Sequence, residues 1–196
     1  RALPLRDCDR LGSLPAGRVA GRKAFYVRGL RSLPTLVLTE IGLGCSEIGL
    51  LQRCRAMTAD LPADCRVGVA PHSLRAIART DLDALEELAA GDPIHMHIAE
   101  QVAEVDEVKQ AWGARPVEWL LDHANVDARW CLIHCTQMEP HETEALARTG
   151  AVAGLCPITE SSLGDGIFDG VRWLNSGGAM AVGSDSNIRI SLSEEM

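Results

Sequence analysis

From residue 65 onward the sequence alternates short, nearly continuous apolar runs with amphipathic segments, and this alternation limits the fold more than any other feature. The runs are "CRVGVA" (65–70), "IHMHIA" (94–99), "WCLIHC" (130–135), "AVAGLC" (151–156) and "AMAVGSDS" (179–186), the last running into a loop. Their length and continuity predict strands buried on both faces. Between them, "TDLDALEELAAG" (80–91) predicts a helix capped by Thr80 and ended by Gly91, with Leu82, Leu85, Leu88 and Ala89 on one face. "VAEVDEVKQAWG" (102–113) places Val102, Val105, Val108 and Trp112 on one side and stops at Gly113. "RPVEWLLDHA" begins a helix with Pro116 at its first position, and residues 140–150 and 169–178 predict two more. Strands alternating with helices favour a parallel sheet covered by helices, for which a doubly wound sheet and a barrel both qualify.

The first sixty residues do not continue this pattern. "LPTLVLTEIGLG" (33–44) suits a strand and "SEIGLLQRCRAM" (46–57) a helix, but the segment before them has neither period. Charge divides at the same place. Residues 1–55 carry ten Arg/Lys against four Asp/Glu, a net +6, whereas residues 56–196 carry nine against twenty-three, a net −14. The organisation expected is an atypical basic segment at 1–60 followed by an acidic globular part at 61–196. The basic arm has only Phe25 and Tyr26 for stacking and no nucleic-acid-binding motif, so no nucleic-acid partner is expected. No apolar run approaches the ~20 residues that cross a bilayer. Seven cysteines without a CxxC pair argue against a disulfide framework or zinc ribbon and for a reducing, cytoplasmic setting. At 196 residues the chain is short for an eight-fold barrel of ~250. It starts without methionine and ends on "SLSEEM", where Ser193 suits the N-cap of a helix, so a piece of a larger protein is expected.

Chemically competent residues recur where the apolar runs end. His72 follows "VGVA", His97 and Glu100 close "HMHIAE", His134 closes "CLIH" and Asp185 closes "AVGSD". Each has a plain structural explanation: a hydrogen-bonded histidine, a turn aspartate, a core segment. Together they would lie on one rim, at the carboxyl ends of the strands, where barrels keep their working site. Neutral imidazole and carboxylate suit zinc, which lowers the pKa of bound water toward ~7. A second carboxylate can move the proton, and a histidine can steady the charge that develops. His97 and Asp185 supply two metal donors of the three or four that zinc takes from a protein.

"HMHIAEQ", "RWCLIHCT", "GAVAGLCPITESSLGDGIF" and "GSDSNIRISLSEE" resemble the amidohydrolase superfamily of metal-dependent barrels, and within it the formimidoylglutamate deiminases. The likeness covers about residues 66–196. "APHSLRA", "LCPITE" and "LGDGIF" are the narrower part of it. It implies an α/β fold: part of a TIM-like (β/α)8 metal-dependent hydrolase barrel, about strands 4–8, lacking strand 1. His97, at the end of the family's fifth strand, would bind the metal and Glu100 would shuttle protons. His134, at the end of the sixth, would sit beside water and substrate. Asp185, at the end of the eighth, would bind the metal and take the first proton. His72 and Arg75 would hold the carboxylates of an acidic small-molecule substrate, a role for which a guanidinium fork is well shaped. The implied reaction is hydrolytic deimination of N-formimino-L-glutamate to N-formyl-L-glutamate and ammonia. One catalytic ion, usually zinc, serves it, although Fe2+ or another divalent metal suits the same donors.

Three departures accompany the likeness. The superfamily places a His-x-His pair on strand one, and the only such pair here, His95 and His97, is read as part of strand five. His95 is then expected to brace the site or pack inside the barrel. A Gly-Gln-Arg-Phe-containing loop expected before strand four is missing, and Gln137 stands where a second histidine is common. The full-length protein is expected to be a homo-oligomer, a dimer, with no membrane partner, and the 196 residues alone to be inactive. Other readings are a purine, triazine or imidazolonepropionate hydrolase of the same superfamily, or a non-catalytic truncated polypeptide.

Overall fold

The computed structural model describes residues 35–39, 55–56, 66–79, 81–189 and 191–196. Among the described residues six strands form one parallel sheet: β1 (Thr35–Thr39), β2 (Arg66–Ala70), β3 (Ile94–Ile98), β4 (Trp130–His134), β5 (Val152–Leu155) and β6 (Ala179–Val182). They are hydrogen-bonded in chain order, β1-β2-β3-β4-β5-β6. A doubly wound sheet reverses its strand order at a switch point. This sheet never reverses, so of the two architectures compatible with the alternation it has the barrel's. It is the wall of a TIM-like α/β barrel over part of that fold.

Helices α1 (Asp81–Ala89), α2 (Val102–Trp112), α3 (Pro116–His123), α4 (Pro140–Arg148), α5 (Pro157–Leu163) and α6 (Gly170–Asn175) lie between the strands. Pro116 and Pro140 each open a helix, where the missing N–H costs nothing. Gly113 closes α2 in the left-handed conformation, φ 86°, its N–H donating to the Lys109 carbonyl. Helix α5 is unannounced in the sequence. The strand in 33–44 forms as β1, whereas the helix expected over 46–57 and the Thr80 cap lie largely or wholly outside the described residues. The C-terminal expectation needs correcting: Leu192–Glu194 makes a 3-10 turn in which Ser193 is an inner residue rather than the N-cap. The physical reason is an anchor beyond it. The buried Glu195 carboxylate accepts from the Ile158 N–H at 2.8 Å and from Asn187 Nδ2 at 2.6 Å, which fixes the chain end against α5.

One face of the sheet packs under the helices. Ile94, Met96, Ile98 and Leu132 from the strands meet Leu82, Leu85, Val105, Val108, Leu120 and Leu146 from the helices, all buried. Each such side chain contributes about 1.5–3 kcal/mol when fully buried. Val102, which periodicity put on this face, is 60% exposed because it opens α2 at the rim, before the helix reaches the sheet. Trp173 is fully buried and donates through Nε1 to the Ala179 carbonyl. Gly178 is needed there, since a Cβ would lie 2.3 Å from the indole ring.

The opposite face, toward the barrel interior, carries a smaller cluster of Cys131, Ile133 and Cys156. In register, His95 pairs with Cys131 and His97 with Ile133, so both histidines share that inner face. Among the described residues no helix is long and apolar enough to cross a membrane.

Candidate active site

At the carboxyl ends of β3, β4 and β6 the backbone leaves its ordinary range. Among the described residues five non-glycine residues have positive φ, and four of them are Ala99 (49°), His134 (75°), Cys135 (56°) and Asp185 (35°), all at these strand ends. Side chains rarely adopt this region unless the surroundings enforce it, and such residues concentrate at functional sites. Here enforcement comes from continued ladder bonds. The Cys135 N–H donates to the Ile98 carbonyl at 3.1 Å and the Gln137 N–H to the Ala99 carbonyl at 2.8 Å. Thr136 Oγ1 donates to the carbonyls of Ala99 and Glu100 at 3.2 and 2.5 Å.

Three imidazoles line this rim. The His72 and His97 rings are 4.9 Å apart between centroids, and the His97 and His134 rings are stacked at 5.5 Å. His97 Nδ1 is 2.8 Å from the His72 carbonyl, which also accepts the His97 backbone N–H. A carbonyl can only accept, so Nδ1 carries the proton and Nε2 keeps its lone pair. Burial lowers the His97 pKa to about 4; His134 and His72 add to this, against the His72 hydrogen bond and Asp185. His97 is therefore a neutral imidazole at physiological pH, the form that ligates a metal.

His134 is 1% exposed and held between two carboxylates. Its Nδ1 is 3.1 Å from Glu160 Oε1 and its Nε2 is 3.5 Å from Glu100 Oε1. Burial opposes its charge, but the Glu160 hydrogen bond and the charges of Glu100, Glu160 and Asp185 outweigh it, and its pKa is raised. The Glu100 carboxyl is also shifted upward, chiefly by burial, with Asp165, Glu104 and Asp185 adding and His134 opposing. A carboxyl that holds its proton more tightly than usual suits proton transfer near neutral pH. Its backbone is clamped by Glu104, 1% exposed, whose carboxylate accepts from the N–H groups of Ala99 and Glu100 at 3.1 and 2.8 Å.

The structure thus brings together His97, Glu100 and His134, with Asp185 near enough to act on the charge of all three. His72 joins them through its carbonyl and ring. Arg75 stands apart: it lies in the turn after β2 and pairs with Glu107 of α2 at 3.4 Å, half exposed. His95 is buried on the inner face, with Nδ1 lacking a hydrogen-bond partner and its pKa lowered to about 4 by burial and by His97.

Sequence reasoning passed over Glu104, Glu160, Asp165 and Gln101. Asp165, buried in "LGDG", accepts from Gln101 Nε2 at 2.9 Å, its carbonyl accepts from Gln137 Nε2, and its Oδ2 has no partner. The available signal was a glutamate early in a helix directly after a strand, which is as often placed there by the helix dipole.

Among the described residues, one group of three donors lies close enough to hold a metal ion: His134, Cys156 and Glu160. Their mutual hydrogen bonding already satisfies His134 Nδ1. The His97 Nε2 lone pair and the Asp185 carboxylate fit a divalent cation in chemistry, as two of the three or four donors that zinc takes.

Comparison with known proteins agrees with this geometry. The sequence profile of the Amidohydrolase family matches residues 52–196. The chain is 48% identical to a formimidoylglutamate deiminase of Pseudomonas aeruginosa over 151 residues, 75% of this chain and 32% of that protein. It is 33% identical over 137 residues to a 5-methylthioadenosine/S-adenosylhomocysteine deaminase of Nitratidesulfovibrio vulgaris, 66% of this chain and 30% of the other. A crystal structure of an amidohydrolase from Brucella melitensis superposes with a TM-score of 0.72 at 47% identity, covering 76% of this chain and 33% of that one. The chain spans about a third of the length of the curated relatives it matches.

Proposed function

The chain belongs to the amidohydrolase family, and on that premise we propose that it carries the carboxyl-side half of the active site of a formimidoylglutamate deiminase. The observation that carries the chemistry is His134 held between Glu100 and Glu160 beside the neutral imidazole of His97. The acidic substrate is favoured over a purine by 48% identity to a protein of that activity against 33% for the nucleoside deaminase.

In this reading His97 and Asp185 hold the metal together with donors from the remainder of the barrel. When bound, the ion supplies Lewis acidity that makes water a nucleophile near neutral pH. Asp185 accepts the first proton of the attacking water as its oxygen bonds to the formimino carbon. Glu100 passes protons to the departing nitrogen, and the C–N bond breaks as the new C=O forms. Both water protons finish on ammonia, and N-formyl-L-glutamate remains. His134 presents Nε2, beside Glu100, to the attacking water and the substrate. His72 and Arg75 hold the glutamyl carboxylates. The Arg75–Glu107 pair is exposed and contributes only ~0–1 kcal/mol, so a substrate carboxylate can displace Glu107.

The test is ammonia release by the full-length gene product, with N-formimino-L-glutamate beside a neutral purine nucleoside, before and after Arg75→Ala. Losing a charged hydrogen bond should cost the acidic substrate about 10- to 100-fold in kcat/KM and a neutral one little. Equal losses for both, or turnover of the nucleoside alone, would count against the assignment. The 196 residues by themselves are expected to bind zinc weakly and release no ammonia. Tight stoichiometric zinc together with turnover would contradict that.

A second reading, a nucleoside deaminase, draws on the Nitratidesulfovibrio vulgaris relative. The same assay separates the two.

A further inference from the structure

Glu160 is a buried carboxylate that the proposed reaction does not use. It lies in the first turn of α5, the helix that the sequence pattern does not announce, and it is 6% exposed. One of its oxygens does two jobs. Oε1 accepts the Cys156 N–H at 2.8 Å, at the point where β5 gives way to α5, and lies 3.1 Å from His134 Nδ1. The Glu160 backbone carbonyl in turn accepts the Asp165 N–H at 3.0 Å, which ties it to the following loop.

We propose that Glu160 is a positioning residue that fixes the ring plane and tautomer of His134, so that Nε2 is presented to Glu100 and the substrate as a proton acceptor. An oxygen already engaged by a backbone N–H is a fixed acceptor, so the facing Nδ1 must be the nitrogen that carries hydrogen. The neutral ring then has its lone pair on Nε2, 3.5 Å from Glu100 Oε1. The ring has no freedom to reverse this. His134 is 1% exposed, its backbone is held at φ 75°, and the His97 ring stacks at 5.5 Å on one side. A carboxylate behind a catalytic imidazole works in this way in unrelated hydrolases: it selects the tautomer and stabilises the cation without itself taking the proton. The role rests on the assignment of His134 to the reaction, but the tautomer does not depend on the substrate.

The experiment has two readouts on the full-length gene product. The first is long-range proton–nitrogen NMR of 15N-histidine-labelled protein without substrate, with the His134 signals assigned by their loss in His134→Gln. The unsubstituted protein should show Nδ1 protonated and Nε2 bare. In Glu160→Gln the Cys156 N–H keeps the amide oxygen toward both donors, so the tautomer should persist. In Glu160→Leu it should be lost. The second readout is turnover. Glu160→Gln, which keeps the hydrogen bond and removes the charge, should lower kcat about 10-fold, and Glu160→Leu about 100-fold or more, with KM changed far less. A His134 ring protonated on Nε2 in the unsubstituted protein would overturn the inference. So would a tautomer unchanged in Glu160→Leu, or unaltered kcat in both variants. Failure of N-formimino-L-glutamate as substrate would leave the NMR result standing, so the two proposals fail separately.

Discussion

The two ends of the sheet handle charge in opposite ways. At the amino ends of the strands, carboxylates pair with arginines near the surface. Arg55 reaches Asp92 at 2.8 Å, Arg66 the same aspartate at 4.0 Å, and Arg129 Asp127 at 2.9 Å. At the carboxyl ends, Glu104, Glu160 and Glu195 are buried and accept from backbone N–H groups, a histidine or an asparagine. Those partners fix the three carboxylates against the segments that follow the strands, so they hold the geometry of the rim. In barrels of this kind, the amino-terminal face maintains the fold and the carboxyl-terminal face does the chemistry.

Substitutions at the two ends of the sheet should therefore differ most in their effect on turnover. Glu100→Gln should lower kcat by about 10²–10⁴-fold, the usual contribution of a positioned proton-transfer group. The protein should stay folded, since burial already disfavours the Glu100 charge. Circular dichroism alongside the assay checks both parts. Glu104→Ala should act on stability as well as rate. It strands the N–H groups of Ala99 and Glu100, at roughly 1–3 kcal/mol for each buried group, and urea unfolding measures the sum.

The pH dependence sharpens the same contrast. His95 and His97 have folded pKa values lowered from 6.5 to about 4. Between those limits the unfolded chain binds protons that the folded chain refuses. Stability of the metal-free protein should therefore be greatest above 6.5 and fall as pH drops toward 4, on the order of 3 kcal/mol for His95, the more buried ring. Urea unfolding across that window should steepen with acidity, and His95→Phe should flatten the curve. At the amino end, Arg129→Ala should change stability by less than about 1 kcal/mol and leave turnover alone, because its pair with Asp127 is partly exposed.

Much of the scaffold was legible because its cause is periodic. Leu82, Leu85, Val105 and Val108 mark helix faces at 3.6-residue spacing, and β3 to β6 coincide with the apolar runs. Two architectures fitted that alternation, and only the strand order separates them, since order leaves no local trace in sequence. The rim was legible in its first layer: His97, Glu100, His134 and Asp185 stand at strand ends, where polar residues interrupt apolar runs. The layer behind it was not. Glu104 and Glu160 look like ordinary first-turn glutamates, and their work is a reach of four or five residues back to a strand end. Asp165 sits between two glycines and reads as a turn residue. Helix α5 is seven residues long with Pro157 at its start, too short for periodicity to register. Arg75 shows the reverse case: its motif is specific, yet its visible partner is Glu107 on the neighbouring helix.

The most direct measurement is steady-state ammonia release from N-formimino-L-glutamate by the full-length gene product, compared across three proteins: unsubstituted, Glu100→Gln at the carboxyl end and Arg129→Ala at the amino end. The first and third should turn over at similar kcat, and the second should lose about 10²-fold or more. No turnover by the unsubstituted protein, or similar losses in both variants, would contradict that expectation.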